Sequence, residues 1–131
     1  MANYLERVKQ YLQELELPIT EEVTEEELVI VNDEENGLQN LYIDVEDPIL
    51  IIEQVIMNVP HVPGDFFKRL LQINRTLVHG AFVLDEEGKV VLFRDTLQLE
   101  HLDKNELEGT IRALSLALAE NARELIEYSK K

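Results

Sequence analysis

The 131 residues, 45% apolar and 30% charged, are enough for one globular core and too few for two, so a single domain over residues 1–131 is expected. The absence of cysteine removes disulfides, zinc-thiolate sites, iron-sulfur clusters and a thiol nucleophile together, in keeping with a reducing cytoplasm. The net charge is −15, of which residues 1–50, with 14 acidic and 2 basic side chains, carry −12; such a field repels phosphate backbones and anionic lipid, and disfavours nucleic-acid and membrane partners.

In chain order, Tyr4, Leu5, Val8, Tyr11, Leu12 and Leu15 fall on one helical face. Asn3 is placed to cap it, with Glu6 as reciprocal partner, and Pro18 stops it. The charged start MANYLERVKQ is unlike a signal peptide, and no apolar run is long enough to span a bilayer, so a soluble cytoplasmic protein is expected. EEVTEEE, residues 21–27, reads as a solvated connection or edge segment.

LVIVN and LQNLYIDVE then flank DEENG, whose Asn36-Gly37 pair suits the positive φ angles of a tight hairpin. The segment PILIIEQVIMNV is dense in β-branched residues, which favours a strand, with a buried helix as the alternative. Strict alternation places Ile49, Ile51, Val55, Met57 and Val59 on one face and Leu50, Ile52 and Ile56 on the other. A strand apolar on both sides needs a cover for its second face, from the chain's own helices or from a partner.

Pro60 and Pro63 end that segment, and a second helix is expected from Asp65 to Thr76. HGAFVLDE and GKVVLFRD follow as two strands about an acidic turn with Gly88. Asp103 and Glu106 form a capping box for a last helix reaching Tyr128, about 38 Å long at 1.5 Å per residue. Its stripe of Leu107, Ile111, Leu114, Leu118, Ala122 and Leu125, widened by Ala113, Leu116, Ala117 and Ile126, is broader than one small sheet requires. Leu50, Ile52, Ile56, Leu114 and Leu118 are therefore the expected partner or dimer surface.

Catalytic constellations are weak. His79 and Asp85 are six strand residues apart, about 20 Å when extended, too far to act as base and orienter. His61, His79 and His101 have no metal-ligand spacing, residues 32–43 fail the calcium-loop template at both ends, and the five glycines form no phosphate loop. Glu53, an acid within the apolar strand, is the one candidate for carboxylate chemistry or for a small-molecule site.

Leu70, Leu71, Asn74, Leu77, Gly80, Ala81 and Phe82, then the acidic turn with Gly88, then Leu99, Leu102 and Leu107, carry a resemblance. Over roughly residues 40–125 the chain resembles the YbjN family and, more distantly, the type III secretion chaperones of the Tir-chaperone kind. The heavily acidic first third departs from that pattern. The resemblance implies an α+β fold, a twisted antiparallel sheet with helices in the order α-β-β-β-α-β-β-α. It also implies a homodimer that holds a protein or extended peptide partner without catalysis or cofactor. A small-molecule binder or carboxylate-based enzyme is the alternative. No binding residue transfers one by one, because such chaperones bind through patches of apolar surface.

Overall fold

The computed structural model describes residues 3–131. The first helix, α1 (Tyr4–Glu14), begins where Asn3 accepts a hydrogen bond from the Glu6 N–H at 3.1 Å. Glu6 does not reach back to the cap as expected; its carboxylate turns along the helix to Lys9 at 3.2 Å.

The acid-rich segment contributes a strand of its own, β1 (Ile19–Val23), paired with β2 (Leu28–Asp33). It lies at the sheet edge, where Glu21 and Glu22 discourage edge-to-edge association. Between β2 and β3 (Leu38–Glu46) the expected two-residue turn is replaced by a three-residue 3-10 turn. Asn36 sits inside that turn, and only Gly37 takes a left-handed conformation, at φ 78°, its N–H bonded back to the Glu34 carbonyl at 3.0 Å.

The ambiguous apolar segment is a strand, β4 (Ile49–Asn58). A bulge between Val55 and Met57 breaks the strict alternation, so Met57 and Val59 turn to the core instead of joining Ile49, Ile51 and Val55. Helix α2 (Phe66–Asn74) is shorter than expected, because the N–H groups of Thr76 and Leu77 fold back onto the Ile73 and Asn74 carbonyls. The hairpin β5 (Ala81–Leu84) and β6 (Val90–Gln98) follows, and then α3 (Lys104–Ser129), with both halves of the Asp103/Glu106 capping box made.

The six strands are antiparallel in the order β1-β2-β3-β4-β6-β5. The α+β class and the succession of helix, strands, helix, hairpin and helix are as expected, with one edge strand added. All three helices share one core with a single face of the sheet. Leu5, Val8 and Leu12 of α1, Phe66, Leu70 and Ile73 of α2 and Leu107, Ile111 and Leu114 of α3 meet Val29, Val31, Ile43, Leu50, Ile52 and Phe93 there. Among the described residues the two buried polar side chains, Gln54 and Thr110, serve as ties. Thr110 of α3 donates to Asp95 at 2.8 Å, and Gln54 bridges the Gly37 carbonyl and the Gln39 N–H at 3.0 and 3.1 Å.

Candidate functional site

The opposite face of the sheet is the candidate site. Alternation along each strand sends Leu28 and Ile30 of β2, Tyr42 and Asp44 of β3, Ile51, Glu53 and Val55 of β4, and Leu92 and Arg94 of β6 to this side. Leu28 and Ile30 are buried yet lie outside the helix-covered core, shielded by their neighbours on the sheet. Val55 is 62% and Tyr42 45% exposed, and Ile51 and Leu92 are half-buried. A face of aliphatic and aromatic side chains without a helix over it is the surface on which a partner gains most by excluding water.

Two polar features punctuate the face. Glu53 and Arg94 stand opposite one another on β4 and β6, joined at 3.0 Å. The acid singled out for chemistry thus spends one oxygen on a guanidinium at a half-open surface. Asp44 is the second. Burial among its apolar neighbours pushes its carboxyl up from 3.8 to about 6, and the charges of Glu46, Glu26 and Glu27 push the same way.

Because the folded protein holds this proton more tightly than the unfolded chain, stability falls as pH rises from about 4 to about 6 and stays lower above that. Asp44→Asn should therefore raise stability at pH 7, by about 1 kcal/mol once screening by nearby water is allowed for. The gain should shrink as pH falls below about 6 and vanish below about pH 3, where the aspartate is protonated in both the folded and the unfolded state. Urea denaturation of both proteins across this pH range reads the difference; a gain independent of pH would contradict the assignment to Asp44.

The five residues expected to form a partner surface do not stand together. Leu50, Ile52 and Leu114 are fully buried under the chain's own helices and offer no side-chain surface. Ile56, beside the bulge, is half-buried against the core. Leu118 is half-buried at the wall of a groove between α1, the β2–β3 turn and α3. On β4 the exposed apolar side chain is instead Val55, one position out of phase with the expected set, with Tyr42 of β3 exposed on the same face. Alternation had divided the strand correctly up to the bulge; which half was covered could be read only from where the helices lie.

Asp85 and His79, weighed above as base and orienter, have separate places. Asp85 accepts from the Lys89 and Val90 N–H groups at 2.8 and 3.1 Å, bonds that hold its carboxyl below the ordinary aspartate range and close the β5–β6 turn. His79 lies on the surface before β5, its ring against Gly109 of α3. Among the described residues no three His, Asp or Glu side chains are arranged to hold a metal, and no helix is long and apolar enough to cross a membrane.

The family model CesT_Tir_1 matches residues 1–131. Among solved structures, the crystal structure of YbjN from E. coli, described with it as a candidate transcription regulator, superposes with a TM-score of 0.72 over 92% of this chain and 92% of that one. Sequence identity between the two is 14%, so the likeness carries the fold alone. No curated protein sequence matches the chain significantly.

Proposed function

The chain belongs to the CesT_Tir_1 family, a type III chaperone-like group, and from that membership we propose that it is a non-catalytic protein-binding domain that works as a homodimer in the cytoplasm. Residues 1–131 act as one domain in this reading, without a cofactor. The observation that carries it is the open sheet face. Tyr42, Ile51, Val55 and Leu92 present apolar surface that no helix of the chain covers, around the buried Leu28 and Ile30.

A second copy is the occupant that best fits this face, because two identical apolar patches can meet about a two-fold axis. Strands packed face to face would bury Ile51 and Val55 in a sandwich-like interior. The face is poor in basic groups, with Arg94 committed to Glu53, which does not suit an acidic partner such as nucleic acid.

Multi-angle light scattering on the purified protein at micromolar concentration tests the dimer. A mass of twice 15.2 kDa is expected. Val55→Arg should return the mass to 15.2 kDa while leaving the circular dichroism of the folded chain intact, because the side chain is largely exposed in the single protomer. A monomeric unaltered protein, or a dimer indifferent to Val55→Arg, would sink this use of the sheet face.

A further inference from the structure

On the helix side of the molecule, away from the open sheet face, the end of α1, the β2–β3 turn and α3 enclose a groove of about 880 Å³, open along its length. Its accessible apolar lining is Leu15, Leu17, Leu116 and Leu118, over the buried Leu38 and Ile111. Along α3 the groove side carries Ser115, Ala119 and Ala122, small residues at helical spacing that leave its volume unfilled. The stretch of α3 from Glu108 to Ala122 runs roughly 21 Å, enough for about six extended residues or four helical turns of another chain.

The opposite wall is held rigidly. Gly37, at φ 78°, brings its backbone so close to α3 that a Cβ there would lie 3.1 Å from Leu118 Cδ1. The buried Gln54 pins the Gly37 carbonyl from beneath. Glu34 and Glu35 stand exposed on this wall, in the half of the chain that carries most of the negative charge. Across from them Glu108 pairs with Arg112 at 2.9 Å, so the only cation of the lining is already neutralised.

We propose that this groove docks an apolar protein segment flanked by lysine or arginine, with Leu15, Leu17, Leu116 and Leu118 receiving its apolar side chains and Glu34 and Glu35 its cations. The inference rests on the protein-binding reading of the chain and specifies the partner's chemistry. Charge complementarity selects this occupant. A second copy carries −15 and would set its own acidic half against these two glutamates, and an acidic peptide would meet the same repulsion. Charges at the rim act mainly on encounter and specificity, while apolar contact on the floor supplies affinity.

A random-sequence peptide library displayed on phage and selected on the full-length protein provides the probe. Enriched peptides should combine leucine, isoleucine or phenylalanine with lysine or arginine. Their affinity should fall with added salt, and should drop at least about tenfold for the double variant Glu34→Lys, Glu35→Lys and for Ala119→Trp, which fills the groove. All three positions are exposed, so the variants should keep the native circular dichroism and the mass of the unaltered protein. Enriched peptides that lack cations, or that bind these variants as tightly as the original, overturn the groove proposal while leaving a protein-binding role elsewhere. If no peptide is enriched, the groove proposal falls and, with it, the protein-binding reading loses its support on this side; the light-scattering mass then decides the dimer independently.

Discussion

Gly80→Ala is expected to cost the fold about 3 kcal/mol, made up of roughly 1 for an alanine held in the left-handed region and 1–3 for overpacking. Gly80 sits at φ 73° just before β5, and a Cβ on it would run into the ring of Phe93, with Cε2 at 2.9 Å and Cε1 at 3.0 Å. That ring is fully buried and meets Phe82 edge-on with 6.2 Å between centroids, so it has nowhere to retreat. The midpoint of urea denaturation should move down accordingly with the slope unchanged. The two contributions can be separated. In a Phe93→Leu background the added methyl meets a smaller side chain, so Gly80→Ala should cost about 1 kcal/mol there, the backbone part alone. Equal costs in both backgrounds would show that the ring is not the obstacle.

Asn74→Leu should be nearly as damaging, at about 2–3 kcal/mol, since it leaves two backbone groups in a largely buried place without partners. The Asn74 side chain accepts from the Phe82 N–H at 2.8 Å and donates to the Phe82 carbonyl at 3.1 Å, clasping strand β5 to the end of α2. This contact substitutes for a neighbouring strand on the outer side of β5, whose only sheet partner is β6. Asn74→Asp preserves the acceptor and sets a second carboxylate oxygen against the Phe82 carbonyl. Its loss of stability should therefore ease as pH falls and the carboxyl is protonated, whereas the leucine variant should show no such recovery. Hydrogen exchange at the Phe82 amide gives a local readout: protection should drop in the leucine variant, which offers no acceptor, and unchanged protection there would remove the clasp from the account.

These two residues also explain the motif that signalled the family. Asn74, Gly80 and Phe82 were legible as a spacing, helix end to hairpin, before any contact was known. The physical content of the spacing is one clasp and one close approach. Neither can be derived from local periodicity, because Phe93 and the Phe82 backbone reach their partners only after β6 and β5 have paired.

The helix termini were legible for the opposite reason. Asn3 and Asp103 act on N–H groups within three residues of themselves, so the signal and the structure it produces are adjacent in the chain. Strand β1 was legible only as an edge or connecting segment, because ITEEV is mostly polar; its pairing with β2, not burial, makes it a strand, and its outward residues are wet as an edge requires. The bulge in β4 was equally invisible, since β-branched residues occur on both sides of it and only the offset pairing with β6 reveals the extra residue.

The candidate surfaces divide along the same line. From the alternation in residues 49–56 it follows that β4 has two apolar faces, and the charge count disfavours phosphate backbones and anionic membranes as partners. Alternation assigns side chains to two faces and is silent on which face the helices take. Only the tertiary structure placed Leu50, Ile52 and Leu114 in the core and left Val55 and Tyr42 in the open, because the choice is made by contacts among α1, α2, α3 and the sheet that are distant in sequence. The groove was beyond the sequence for the same reason: its walls come from residues near 17, 36 and 115, and become one surface only when Gly37 packs against Leu118.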